Sequence, residues 1–379
     1  MTALVVHLIT GLWTGGAERQ LARLVMDSRG DEGRHVVVSM TDVGNIGPMI
    51  RAAGIPLHTL GMRRGRPTVS GLWRLVLLLR RLRPAVLQTW LYHADLLGWV
   101  AARLAGVPHV VWNLRCSDMD MARYSRLSRL VVAILARLSP WVDAVVYNSS
   151  AGREAHARLG YRPRQWQYIP NGFDLDEFAP APAAREALRQ SLGLASDTPV
   201  VGLVARHDPM KDYPGFFQAV ARVVRQNDAV RFVCAGAGVT LENPELRLVL
   251  QDLGLIGKVF LLGRRDDIAA VTAGLDLAVS ASAFGEGFPN SLGEALASGV
   301  CCVATDVGDS ATVVGASGRI VPAGDPSALA QAIAIMLDMT AAERHKLAMA
   351  GRERVEREYS VRAMARRYSE LYSTVLTKG

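Results

Sequence analysis

Short apolar runs alternate with stretches of helical period along the whole chain. Leu4 to Ile9, Val36 to Ser39, Val86 to Thr89, His109 to Trp112 and Ala144 to Tyr147 are predicted strands, each followed by enough residues for a helix. The runs are continuous in Val, Ile and Leu, the pattern of strands covered on both faces, which predicts a parallel sheet with right-handed helical crossovers. The series pauses at Ile169-Pro170-Asn171-Gly172-Phe173, a turn signal followed by an Ala/Pro-rich stretch at 178–184. A second series then runs through Val200 to Val204, Arg231 to Cys234, Val259 to Leu262, Leu277 to Ser280 and Val300 to Thr305. The expectation is an α/β chain of two doubly wound domains, residues 1–172 and 173–360, with a ligand in the cleft between the carboxyl ends of their sheets. The last segment, 361–379, carries Met364, Tyr368, Leu371 and Val375 on one helical stripe and either completes the second domain or crosses back to the first.

Composition narrows the class. Of 379 residues, 50% are hydrophobic and 21% charged, which excludes a disordered solvating chain. The longest uncharged run, Met1 to Ala17, is interrupted by His7, Thr10, Gly11 and Thr14 and has no basic leader. Neither a spanning helix of about 18 residues nor a signal peptide is expected there, and a cytoplasmic protein follows. Cys116, Cys234, Cys301 and Cys302 lack metal-ligand spacing and are expected as thiols, with no structural disulfide and no zinc.

The net charge of +8 is unevenly placed: residues 1–172 hold 22 Arg, no Lys and 10 acids, whereas 173–379 hold 21 bases against 25 acids. The first domain is therefore expected to face something anionic, nucleic acid or the inner membrane surface. No nucleic-acid motif or interleaved aromatic platform accompanies the arginines, so no nucleic acid is expected as a partner. Arg63, Arg64 and Arg66 precede an apolar helix pattern, Leu72 to Arg83, and residues 123–137 repeat the mixture. Such helices suit a peripheral contact with an anionic membrane, here with Leu77 and Leu78 packed in the core and only the flanking cations at the surface.

Three loops carry candidate chemistry. After the first strand, Gly15-Gly16-Ala17-Glu18-Arg19 opens a helix, and paired glycines there let backbone N–H groups approach a phosphate or sugar, although neither a dinucleotide fingerprint nor a P-loop is present. Val204-Ala205-Arg206-His207-Asp208-Pro209-Met210-Lys211 ends the first strand of the second series with two cations suited to a diphosphate. Phe284-Gly285-Glu286-Gly287-Phe288-Pro289-Asn290-Ser291-Leu292-Gly293-Glu294 places one carboxylate on a glycine-flanked loop and a second early in a helix whose first turn would contain Pro289. Carboxylates accept from sugar hydroxyls, and N–H groups of Asn290 to Leu292 suit anionic oxygens, so this segment fits a sugar joined to a phosphate.

Taken together, the Glu286/Glu294 pair within EGFPNSLGEALASG, the Arg206/Lys211 pair, the GGAER start and the IPNGFDLDEF linker resemble the retaining glycosyltransferases of family 4, over nearly the whole chain. LYHADLLGWVAARLAGVP and TDVGDSATVVG are most similar to the branch that builds bacterial O-antigen, capsule or exopolysaccharide. The resemblance implies a GT-B fold, two Rossmann-like domains facing across a cleft, with the acceptor on the first. It implies that Arg206 and Lys211 hold the nucleotide diphosphate and that Glu294 binds the ribose. Glu286, with backbone from Phe288, Pro289, Asn290 and Ser291, would meet the transferred sugar. Gly16, beside Gly15, would approach the diphosphate. The family histidine expected after the strand His109 to Trp112 is absent, which leaves Arg115 or His93 as the contact to sugar or acceptor, and the usual Gly-Gly-x-x-Glu is replaced by Asp306-Val307-Gly308-Asp309-Ser310-Ala311. The partners implied are a nucleotide-sugar donor, commonly a UDP-sugar, and a lipid-linked or saccharide acceptor at the inner membrane face. No cofactor is expected, and without an Asp-x-Asp clamp no metal is. A sugar-nucleotide epimerase or a non-catalytic nucleotide-sugar or nucleic-acid binder are the alternatives on the same architecture.

Overall fold

The computed structural model describes residues 3–13, 15–27, 33–63, 68–115 and 125–377. Thr14, Arg64, Arg66 and Cys116, all named above, and the start of the 123–137 stretch lie outside the described residues. The chain divides into two compact units, one formed by 1–172 with 361–379 and the other by 173–360.

The first unit is built on seven parallel strands: β1 Ala3–Ile9, β2 Gly33–Ser39, β3 Leu57–Thr59, β4 Val86–Trp90, β5 His109–Leu114, β6 Ala144–Tyr147 and β7 Trp166–Tyr168. Their order is β3-β2-β1-β4-β5-β6-β7. Val5 faces Val86 across β1 and β4, and alternate residues of each strand serve the two faces. Val6, Leu8 and Leu87 pack under the helices Val69–Leu82, Tyr92–Ala105 and Arg126–Leu138. Val5, Ile9 and Trp90 pack under the helix Gly16–Asp27 and the last helix, Val361–Thr377. Met364, Tyr368, Leu371 and Val375 all sit in that second cluster, so the stripe read from sequence covers the first sheet.

The second unit repeats the plan with β8 Val200–Val204, β9 Arg231–Ala235, β10 Val259–Leu261, β11 Leu277–Ser280, β12 Cys301–Thr305 and β13 Gly318–Val321, all parallel, in the order β10-β9-β8-β11-β12-β13. The order reverses between β1 and β4 and between β8 and β11. At such switch points adjacent loops diverge above the strands' carboxyl ends and leave a crevice for a ligand. In the second unit those loops carry Arg206 with Lys211 and Glu286.

Strands β3, β7 and β13 are not predicted from the pattern. All lie at sheet edges, where three or four residues (LHT, WQY, GRIV), all but Val321 at least partly exposed, need no apolar run. Leu77 is a correction: its side chain is 62% exposed, and Leu75, Val76 and Leu79 form the buried stripe, as a 3.6-residue period requires. Leu78 is partly buried against the core.

Candidate functional site

In the second unit three loops, following β8, β11 and β12, are laced together. Asp208 organises the first: its Oδ1 accepts the Met210 N–H at 3.1 Å, capping the short 3-10 turn Pro209–Lys211. Its Oδ2 accepts from Arg206 Nε at 3.1 Å and Nη2 at 2.8 Å. Partial burial opposes ionisation of Asp208, but the Met210 N–H and the Arg206 guanidinium outweigh it and hold the carboxyl below its usual range. Arg206 is otherwise open to solvent. Asp212 follows Lys211 with φ +46°, in the left-handed region, and caps the helix Tyr213–Gln226 by accepting the Gly215 N–H at 3.0 Å. Two capping aspartates thus fix the stretch that presents both cations.

Lys211 Nζ donates to Glu286 Oε1, a contact 75 residues apart in sequence. Ser282 Oγ donates to the same oxygen at 2.6 Å. Glu286 is 8% exposed, so its charge is taken from water and is held by these two donors. The loop itself is braced on both sides. Ala283 N–H donates to Met210 O at 2.8 Å, and Asp309 N–H donates to Gly287 O at 2.9 Å. Gly308, at φ +60°, lies so close that a Cβ there would stand 2.1 Å from Glu286 O. The Asp306 to Ala311 segment therefore supports the Glu286 loop through a glycine backbone.

Pro289 is the N-cap of the helix Asn290–Ala297, one position before the first turn expected for it, with φ −71° and ψ 109°. An extended ψ there lets its ring sit outside the helical hydrogen bonds. Glu294 is half-buried on this helix, and Asn290 and Ser291 open it. Phe288 is 5% exposed, stacked on Phe173 and edge-on to Tyr359, so its ring belongs to the core and only its backbone is available to a ligand.

In the first unit, Gly16 begins the helix Gly16–Asp27, and the space a Cβ of Gly15 would fill is occupied by the Glu18 carboxylate. The helix start read as an anion cradle thus lies beside an acid of its own first turn. Arg115 is committed. Its Nε donates to Asn113 Oδ1 at 2.9 Å, and its Nη1 and Nη2 donate to Asn171 Oδ1 and Tyr368 Oη, each at 2.5 Å. Its guanidinium also lies 5.2 Å from the Trp90 ring centroid. These contacts tie β5, the 169–172 turn and the last helix together.

His93 stands on a segment held by its neighbours. Trp90 Nε1–H donates to His7 at 3.3 Å, and Leu91 has φ +75°, which a bulky residue adopts only when its surroundings impose it. Tyr92 Oη donates to His156 at 2.8 Å, and Thr89 Oγ1 donates to Asp95 at 2.5 Å. Burial holds His93 below the usual imidazole range, so the ring is neutral at pH 7. The strain at Leu91, the donor Ser282 and the acceptor Asp208 were not singled out from sequence. A φ is invisible there, and a serine four residues before a glutamate carries no signal until the loop folds.

Comparison with known proteins agrees in family and fold. Residues 14–177 match the family model described as Glycosyltransferase Family 4, and residues 198–339 the one described as Glycosyl transferases group 1. A UDP-Gal:alpha-D-GlcNAc-diphosphoundecaprenol alpha-1,3-galactosyltransferase of Escherichia coli is 26% identical over 61% of this chain, an alignment that spans 60% of that relative's length. A 2-deoxystreptamine glucosyltransferase of Streptomyces kanamyceticus is 29% identical over 77% of this chain and 76% of its own. Among solved structures, Anabaena Alr3699/HepE in complex with UDP superposes with a TM-score of 0.85 at 23% identity, covering 98% of this chain and 99% of that one.

Proposed function

Because the chain belongs to the family 4 glycosyltransferases, we propose that it moves a sugar from a nucleotide diphosphate, UDP by preference, to a lipid-linked or saccharide acceptor, with retention and without a metal ion, in surface polysaccharide synthesis. The observation that carries this reading is the meeting of Lys211 with Glu286 above β8 and β11, beside Arg206. A cation pair beside a carboxylate suits a ligand that is anionic at one end and hydroxylated at the other. Arg206 and Lys211 neutralise the charge that builds on the diphosphate as its bond to the anomeric carbon breaks. The acceptor oxygen bonds to that carbon on the face the diphosphate leaves, and its proton passes to a diphosphate oxygen. Glu294 holds the ribose and Glu286 a sugar hydroxyl. Of the two replacements for the family histidine, His93 is the better placed, because Arg115 is spent on Asn113, Asn171 and Tyr368. UDP is favoured by the likeness to the Anabaena protein crystallised with it, and a lipid-linked acceptor by the name of the Escherichia coli relative.

Calorimetry against UDP, GDP and ADP tests the donor. Arg206→Ala is expected to weaken the chosen diphosphate about 10- to 100-fold, the loss of one charge-assisted contact, and Glu294→Gln to weaken it too. Unchanged binding in both variants removes the assignment, and transfer abolished by EDTA and restored by Mg²⁺ removes the metal-free mechanism.

Peripheral membrane contact belongs to the same proposal. No helix among the described residues is long and apolar enough to cross a bilayer. The helices Val69–Leu82 and Arg126–Leu138, however, carry six arginines and no acid, and expose Trp73, Leu77, Leu127 and Leu130. Apolar side chains among cations suit an anionic leaflet, at about 1 kcal/mol per cation. Co-sedimentation with vesicles containing anionic lipid should fall with added salt and with Arg74, Arg80 and Arg81 changed to Ser. Equal recovery on neutral vesicles would point to a soluble acceptor instead.

A further inference from the structure

We propose that Ser282 is a positioning residue that holds Glu286 in its sugar-binding orientation when Lys211 turns to the diphosphate; this rests on the transferase reading above. Lys211 has two calls on one ammonium. It donates to Glu286 Oε1, and on the transferase reading it serves phosphate oxygens when a donor binds. A buried carboxylate left without a donor would rotate toward water. Ser282 prevents this. Its hydroxyl donates to the same Oε1 at 2.6 Å, and at 1% exposure it is shielded from competing water.

The serine is itself fixed from behind. Thr305 Oγ1 donates to the Ser282 carbonyl at 2.6 Å from the end of β12, so the hydroxyl starts from a backbone point tied to the sheet. Both donors converge on Oε1, and among the described residues no side-chain donor is seen at Oε2. The carboxylate is therefore gripped by one oxygen and offers the other as a directed acceptor for a sugar hydroxyl. Ser282 touches neither the nucleotide nor the sugar; it acts through Glu286.

The test is a binding difference. UDP is compared by calorimetry with UDP-glucose, UDP-galactose and UDP-N-acetylglucosamine, or GDP with GDP-mannose where the parent prefers guanine. Ser282→Ala should leave UDP affinity unchanged and weaken the sugar nucleotide about tenfold, the scale of one hydrogen bond to a charged group. In a Glu286→Gln background the same change should cost nothing further, because the group it acts through is already altered. Ser282→Cys carries the same test should the alanine chain not fold. Equal losses for UDP and the sugar nucleotide with a lowered Tm, or a full tenfold loss in the Glu286→Gln background, would make Ser282 a structural residue and overturn the assignment. An unchanged sugar nucleotide affinity overturns it as well, while leaving the transferase reading intact. A parent chain that binds no nucleotide overturns the transferase reading and this assignment with it.

Discussion

Lys211→Ala is expected to damage both the fold of the second unit and its activity, and Glu286→Gln to restore the fold alone. Removing the ammonium leaves the Glu286 carboxylate, 8% exposed, with Ser282 as its one donor. An uncompensated buried charge costs on the order of 3 kcal/mol, a large fraction of a domain's stability. The same substitution removes a diphosphate contact, so turnover should fall at least 10- to 100-fold. Lys211→Ala with Glu286→Gln removes the stranded charge, and its denaturation midpoint should recover most of the loss while turnover stays low. Additive stability effects of the two changes would show that the contact carries no coupling energy and would withdraw it as the organiser of the site.

Acid is expected to unfold the first unit well above the pH at which exposed carboxylates titrate. The Trp90 indole can only donate, so His7 Nδ1 accepts; His7 Nε2 therefore carries the proton and donates to His35 Nδ1 at 2.9 Å. His156 donates from Nδ1 to Gly152 O at 2.6 Å and accepts from Tyr92 at Nε2. All three rings are neutral, and each would lose an acceptor on protonation. Burial, joined at His7 by the His35 charge, pushes His7 well below the usual imidazole range; burial pushes His35 and His156 down to about 4. With folded values below the unfolded 6.5, the unfolded chain takes up protons first. The stability these rings contribute is complete above pH 6.5 and is lost as pH falls toward 4. Asp95 works in the opposite sense, because burial raises its carboxyl well above the usual range and it is protonated in the folded state first. The depressed imidazoles, His93 among them, outnumber the one raised carboxyl, so stability falls with pH across that window. Urea denaturation followed by tryptophan emission should show it, and His156→Gln should reduce the slope. A midpoint constant between pH 7 and 5 would mean that these rings titrate freely in the folded protein.

Both expectations rest on pairs that no spacing reveals, although the frame holding them was legible. The central strands are continuous apolar runs because both faces of each sheet are covered, and burial on two sides leaves little choice of residue. The Pro-Asn-Gly turn at 170–172 and the stripe on the last helix were equally plain. The loops that carry Arg206, Lys211 and Glu286, and the helix start that carries Glu294, could also be found, since glycines, paired cations and paired carboxylates at strand ends have few other uses. What a linear sequence lacks is direction. Leu77 was assigned to the core by its apolar neighbours, and the helix phase turned it outward. Arg115 was one of two candidate contacts by its position after β5, and its guanidinium is held by Asn113 beside it and by Asn171 and Tyr368 from distant segments. Ser282, Asp208 and Gly308 matter through one atom's approach to another, which depends on how three loops close over adjacent strands. The sequence by itself determined the central strands, their order and the residue types available for chemistry, because those follow from local periodicity and composition. The tertiary structure decided which side chains remain free to act, because each hydrogen bond that fixes a polar group is made to a residue the chain brings near only by folding.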